Sequence, residues 1–191
     1  MTTSGCEWCG ASTLTRRAGA RFCSDKCRVY ANRATKKGPK LPVEMTSQAR
    51  FVRYTSRKVP RTVQGRSASS TDARTWSTYE AAAASRVGEG VGFVLGGGIG
   101  CIDLDKCIAS DGTLAPWAAD IVAANPGTYV EISRSGEGLH LFGHLEERPG
   151  RLVRDGRSIE VYSTGRYIAL TGRTYLNAPA RLEPLVVPDL G

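Results

Sequence analysis

Residues 100–106 read Gly-Cys-Ile-Asp-Leu-Asp-Lys. In a strand, side chains alternate between faces and positions two apart lie roughly 6–7 Å from each other. Asp103 and Asp105 then share one face, while Ile102 and Leu104 fill a core on the other. Two like charges held this close repel unless a cation lies between them. Hard oxygen ligands favour Mg²⁺ or Mn²⁺, and two such ions about 4 Å apart are the usual device for in-line phosphoryl displacement. Taken alone, Asp-x-Asp is more often the solvated acidic edge of a strand, so its surroundings decide.

Working outward, Val91–Leu95 is a short apolar strand and Gly96–Gly98 a turn, so the Asp pair ends a predicted hairpin with Ile99–Leu104. Upstream, Thr75 or Ser77 can cap a helix running through Ser85. Downstream, Pro116 suits a helix start, and Trp117, Ile121 and Val122 give an amphipathic helix to about Asn125. Thr128–Ser133 and Leu139–Leu145 read as strands pairing across a turn at 134–138. Ile159–Tyr162 and Tyr167–Thr171 read as another pair around 163–166. Antiparallel strands with one or two covering helices indicate an α+β domain.

The chain has 191 residues, of which 41% are hydrophobic, enough for one core and a small accessory module. No apolar run approaches the roughly 20 residues of a membrane span. The start of the sequence lacks the apolar run of a signal peptide. A cytoplasmic, reducing location is therefore expected, with cysteines serving as metal ligands or core residues.

The net charge of +8 is unevenly spread: residues 1–75 carry 16 Lys/Arg against 4 Asp/Glu, and the remainder 10 against 14. A basic arm suggests a polyanionic partner, although it can equally be a solvated tail that aids solubility. Cys6, Cys9, Cys23 and Cys27 form C-x2-C-x13-C-x3-C, which matches a tetrahedral Cys₄ zinc site. So short a segment has no sufficient apolar core, and the metal would supply its folding energy. The alternative is four free thiols, an oxidation liability. Phe22-Cys-Ser-Asp-Lys-Cys-Arg28 resembles the second half of small treble-clef fingers, with a short helix over about Ser24–Arg33. The expected division is a zinc finger at 1–33, a basic linker at 34–74 with a possible β piece at Phe51–Tyr54, and a catalytic domain at 75–191. Cys101 and Cys107 read as small structural residues, Cys101 facing the side of Asp103.

Two further motifs follow the Asp pair. Ser133-Arg-Ser-Gly-Glu-Gly-Leu-His140 is a glycine-containing turn leading into a strand. Gly136 and Gly138 allow a phosphate to approach the backbone, and Ser135 and His140 can donate to its oxygens. Ile159-Glu160-Val-Tyr162 places an acid in an otherwise apolar strand. Each alone is weak, since a lone strand histidine is usually a packing residue and a lone glutamate a surface charge. The order and spacing together are specific.

Over about residues 75–175 these motifs resemble the bifunctional DNA primase/polymerase (prim-pol) domain of the archaeo-eukaryotic primase superfamily. Its hydrophobic-Asp-hydrophobic-acid, Ser-x-His-like and hydrophobic-acid elements look matched by Cys101–Asp105, Ser135–His140 and Ile159–Glu160. The stretches Gly92-Phe-Val-Leu95, Leu114-Ala-Pro-Trp117, Glu131-Ile-Ser133 and Gly165-Arg-Tyr-Ile-Ala-Leu-Thr-Gly172 extend the likeness.

The resemblance implies an RRM-like antiparallel core in which Asp103, Asp105 and Glu160 hold Mg²⁺ or Mn²⁺ and His140 binds the phosphates of an incoming nucleotide. Ser135 and Arg166 are further nucleotide contacts, and Lys106 faces phosphates or template. The implied activity is template-dependent nucleotidyl transfer from NTPs or dNTPs on single-stranded DNA, making or extending primers. The alternatives are a non-catalytic nucleic-acid-binding replication accessory protein and a nuclease built on Asp-x-Asp. Relatives often continue into an accessory domain and a helicase; with neither here, de novo priming is expected to need such a partner in trans. The finger's expected role is template binding, with a structural or protein-docking role as the alternative.

Overall fold

A computed structural model of the chain describes residues 5–13, 17, 19–36 and 41–189. Positions 37–40 of the expected linker, like parts of the finger and the last two residues, lie outside the described residues. The elements are α1 (Asp25–Lys36), α2 (Val43–Thr46), β1 (Phe51–Tyr54), β2 (Pro60–Arg61), α3 (Tyr79–Ala84), β3 (Gly90–Val94), β4 (Ile99–Leu104), α4 (Pro116–Ala124), β5 (Tyr129–Ile132), β6 (Leu139–His144), β7 (Arg151–Arg154), β8 (Ser158–Tyr162) and β9 (Tyr167–Ala169). The fold is α+β, as expected, with two antiparallel sheets and few helices. Among the described residues no helix is long and apolar enough to cross a membrane.

The first sheet has the order β2-β1-β3-β9 and the second β5-β6-β4-β8-β7. The expected β5–β6 hairpin forms, with Tyr129 opposite Phe142 and Glu131 opposite His140. The other two expected hairpins do not. β3 and β4 lie in different sheets, as do β8 and β9. At 96–98 three consecutive glycines hold positive φ (+128°, +62°, +82°), and this turn carries the chain across to the other sheet rather than back along its partner.

Two cores follow. One face of the second sheet (Ile102, Leu104, Leu139, Leu141, Ile159) packs with Ala118 and Ile121 of α4. Its opposite face (Cys101, Tyr129, Phe142) packs with Phe51, Phe93 and Ile168 of the first sheet and with Met45 and Ala82 of α2 and α3. Helix α4 begins at Pro116 and is capped at Asn125, whose amide donates to the Ile121 carbonyl at 2.9 Å. Helix α3 is capped by Thr78, whose hydroxyl accepts from the Ala81 amide at 3.3 Å.

The stretch 34–74 was expected as a linker, but from Leu41 onward it is built into this architecture. β1 lies between β2 and β3, and its four residues are all buried. Arg53 is buried there because its guanidinium donates to the carbonyls of Val87 (2.6 Å) and Ala82 (3.2 Å), which satisfies a charge that would otherwise be costly inside.

Candidate functional site

Register alone assembles the candidate site. Asp103 on β4 lies directly opposite His140 on β6 and directly opposite Glu160 on β8, and His140 is opposite Glu131 on β5. Directly paired residues project from the same face of a sheet, so Glu131, His140, Asp103 and Glu160 form one row across four strands. The row behind it is Tyr129, Phe142, Cys101 and Tyr162. That face therefore leaves the core along β4. Cys101 is fully buried, the Asp103 side chain is 20% exposed, and Asp105 is 49% exposed. Asp103 and the sequence-distant Glu160 and His140 thus stand together, with Asp105 next along the chain, where the sheet emerges into solvent.

His140 Nδ1 lies 3.1 Å from Glu131 Oε1, and Nε2 lies 3.7 Å from Asp103 Oδ1. Burial alone would lower the pKa of His140, but the hydrogen bond to Glu131 and the charges of Asp103 and Glu131 outweigh it and raise it. Burial pushes the Asp103 carboxyl above the usual carboxylate range, and the charges of Asp105 and Glu160 push it further. Its Oδ1 is buried and accepts no hydrogen bond. A buried carboxylate oxygen without a hydrogen-bond partner, near two more acids, has the chemistry that a hard divalent cation takes, although among the described residues these acids are not drawn together as closely as the N-terminal cysteines.

Glu160 is engaged by Arg154 and, at 3.3 Å, by Arg166. Arg154 also approaches Asp105 Oδ2 at 3.9 Å, so one guanidinium spans two of the acids. Burial would raise the Glu160 pKa, but hydrogen bonds from Tyr162 and Arg154, with the charges of both arginines, bring it below its ordinary value. Arg166 also stacks on Tyr162, its guanidinium carbon 4.4 Å from the ring centre.

The turn before β6 is ordered by its own side chains. Ser135 Oγ accepts from the Glu137 amide at 3.2 Å and lies 3.1 Å from Ser133 Oγ. Gly136 has φ +86° and open space where a Cβ would stand. Gly138 differs: a Cβ there would stand 2.5 Å from the Leu104 carbonyl oxygen. Its glycine keeps the end of β4 tight against the start of β6, which leaves no room for a ligand on that side. Lys106 is exposed and left-handed (φ +51°) just past β4.

Three residues that sequence reasoning gave no role belong to this neighbourhood. Glu131 is fully buried in the row; its signal was an acid at an inward position of an apolar strand. Arg154 comes from β7, whose charged sequence did not announce a strand. The charge of Lys58 acts on both Asp103 and His140. Lys58 sits at φ +56° in the β1–β2 connection, its carbonyl held by the Tyr167 hydroxyl. Cys101 and Cys107 are buried core residues; burial lifts the Cys107 thiol to about 11.

The four N-terminal cysteines form a separate centre. Their sulfurs all lie within 4.8 Å of one another, with Cys9–Cys23, Cys23–Cys27 and Cys27–Cys9 at 3.5, 3.6 and 3.7 Å. A tetrahedron with metal–sulfur bonds of about 2.3 Å has edges of about 3.8 Å, so this set can hold a metal ion. Among the described residues it is the sole group of three or more such ligands gathered so closely. The Cys27 amide donates to Ser24 Oγ at 3.2 Å, which caps α1 and places Cys27 in its first turn. Burial would raise the Cys6 thiol, but backbone N–H groups of Cys23, Trp8 and Cys9 outweigh it and bring the thiol to about 6.

The structure thus defines an α+β protein with a partly exposed row of acids around a buried imidazole on an antiparallel sheet, accompanied by four gathered cysteines. The chain is 35% identical over 121 residues, 58% of its length, to the "DNA Primase-polymerase" of Nitratiruptor phage NrS-1. The match spans 17% of that relative's own length. No family model matches the chain. The resemblance read from the three motifs thus has a counterpart in a curated primase-polymerase.

Proposed function

We propose that the chain carries a prim-pol core of RRM-like type that catalyses template-dependent nucleotidyl transfer on single-stranded DNA, making or extending primers. The observation that carries this reading is the cross-strand row in which Glu160, Asp103 and His140 stand side by side, with Asp105 in the turn just past β4, approached by the same Arg154 guanidinium that engages Glu160.

In this reading Asp103, Asp105 and Glu160 hold Mg²⁺ or Mn²⁺. When bound, such cations lower the pKa of the attacking 3′-hydroxyl and offset the charge of the leaving pyrophosphate. The chain's own residues bind and orient the nucleotide. His140 Nε2 donates to a phosphate oxygen, and Ser135 and the backbone of the Gly136 turn meet the triphosphate. Arg166, freed from Glu160 when that acid takes a cation, contacts the nucleotide. Lys106 faces phosphate or template. Gly138 keeps its place in the site by holding β4 and β6 together.

Zinc fills the Cys₄ centre, and the finger at 1–33 with the basic arm engages the template through its phosphates. The catalytic core begins near residue 41 rather than 75, because β1 belongs to its sheet. A cytoplasmic location and a helicase or accessory primase domain as partner complete the proposal.

Incubation with single-stranded template, labelled NTPs or dNTPs and Mn²⁺ or Mg²⁺ tests it. Extended products from wild type and none from Asp103→Ala/Asp105→Ala are expected. Template binding without products would favour a non-catalytic accessory protein, and a shortened template would indicate a nuclease.

A further inference from the structure

Glu131 is a carboxylate with 0% exposure in the middle of β5, and one hydroxyl and two backbone amides donate to it. Oε1 faces His140 Nδ1 at 3.1 Å and accepts from the Thr171 amide at 3.2 Å. Oε2 accepts from the Tyr129 hydroxyl at 3.0 Å and from the Thr171 and Gly172 amides at 3.2 and 2.9 Å. These donors come from β5 itself, from β6, and from the segment following β9 in the other sheet. A buried carboxylate is a costly way to hold strands together, and an apolar side chain of similar volume often serves stability better. What an acid supplies here is an acceptor.

Backbone amides donate to both oxygens of Glu131, so the side chain acts here as an acceptor, and the hydrogen shared with His140 is assigned to Nδ1. The other nitrogen, Nε2, is then the one turned toward the acid row, 3.7 Å from Asp103 Oδ1. The ring also packs edge-on against Phe142, with centroids 6.2 Å apart and planes at 86°. That contact limits tilt but is indifferent to a half-turn of the imidazole, which would put Cδ2 in the place of Nδ1 and Cε1 in the place of Nε2. Only the hydrogen bond to Glu131 distinguishes the two orientations.

We propose that Glu131 is the positioning residue of this site, fixing the rotation of His140 so that Nε2, rather than the carbon Cε1, is presented to the triphosphate of the incoming nucleotide. The inference rests on the nucleotidyl-transfer reading for its purpose, but on the geometry around Glu131 for its substance. It also explains why a glutamine would not serve: both oxygens already receive N–H donors, so either orientation of an amide sets NH₂ against an N–H.

Two measurements test it. The chain has two histidines, so His144→Asn leaves a single ring whose nitrogens ¹⁵N NMR reads directly. With Glu131 present, Nδ1 is expected to hold its proton in a hydrogen bond. In Glu131→Gln that signal is lost or averaged. An unprotonated Nδ1 beside native Glu131 overturns the proposal without any variant at 131 having to fold.

The second measurement is nucleotide incorporation on single-stranded template. Glu131→Gln is expected to lower kcat/KM by about 10–100-fold, the range typical of residues that orient a functional histidine, yet to leave the residual rate of His140→Ala unchanged within about twofold. Equal losses in both backgrounds would make Glu131 merely structural and overturn the proposal. An inactive wild type would instead end the nucleotidyl-transfer reading, and the two failures are distinguishable because the NMR readout needs no turnover.

Discussion

Replacing Gly138 by alanine perturbs the candidate site through a single added methyl group. The new Cβ would stand 2.5 Å from the Leu104 carbonyl oxygen, 3.0 Å from Ser133 Oγ and 3.5 Å from Asp105 Cα. An unstrained contact needs about 3.5 Å, so the end of β4 must retreat by close to 1 Å, carrying Asp105 with it. Overpacking of this kind costs about 1–3 kcal/mol, which in a domain of this size lowers Tm by about 2–12 °C. A displacement near 1 Å at a catalytic group costs about 100-fold in rate. Gly143→Ala is the matched control. It lies on β6, which Gly138 immediately precedes, and its Cβ would stand 2.4 Å from the Glu183 carbonyl oxygen and 2.7 Å from Leu185 Cγ, a clash at least as severe at the end remote from the acids. Thermal melts with nucleotide incorporation on single-stranded template decide the matter. Both variants are expected to lose comparable Tm, with only Gly138→Ala losing about two orders of magnitude in rate. Equal rate losses in the two variants, or a Gly138→Ala protein of full activity, would refute the reasoning.

Other perturbations have equally definite outcomes. Cys27→Ser is expected to abolish bound zinc, read by elemental analysis of the full chain, while the main melting transition of the sheets shifts little; retained zinc would contradict the Cys₄ assignment. Arg154→Ala removes a half-exposed cation shared by Glu160 and Asp105. Pairs of this kind contribute about 0.2–1 kcal/mol, so Mn²⁺ is expected to bind up to about fivefold more tightly by calorimetry; weaker binding would mean that Arg154 does not compete for the acids. Phe93→Ala empties a fully buried site between the sheets, in contact with the Phe51 ring at a centroid distance of 5.2 Å. It is expected to cost about 3–5 kcal/mol in chemical denaturation, and a loss below 1 kcal/mol would contradict the packing described.

Local signals in the sequence were legible and long-range ones were not. Pro116 at the start of α4 and the turn between β5 and β6 are marked by residues a few positions apart, and both elements form as read. The Gly96–Gly98 turn and the 163–166 turn were also marked, but a turn signals that the chain bends, not which strand it then joins. Both carry the chain between sheets, so two expected hairpins became crossovers. The β piece at Phe51–Tyr54 forms as read, but its place in the core was obscured because Arg53 makes it look like part of a basic linker, and the carbonyls at 82 and 87 that accept from Arg53 lie about thirty residues away. The acids at 103, 105 and 160 were legible because each interrupts an apolar strand. Glu131 interrupts one too, yet its role depends on amides at 171 and 172 that no local pattern reveals. Arg154 and Lys58 entered the site only through three-dimensional proximity.

Anomalous diffraction from crystals soaked in Mn²⁺ tests the central claim most directly. The expected result is a manganese peak bound by the carboxylates of Asp103, Asp105 and Glu160, with the Arg154 guanidinium moved off Glu160. Well-ordered carboxylates with no manganese between them, while the metal binds at other surface acids, would contradict it.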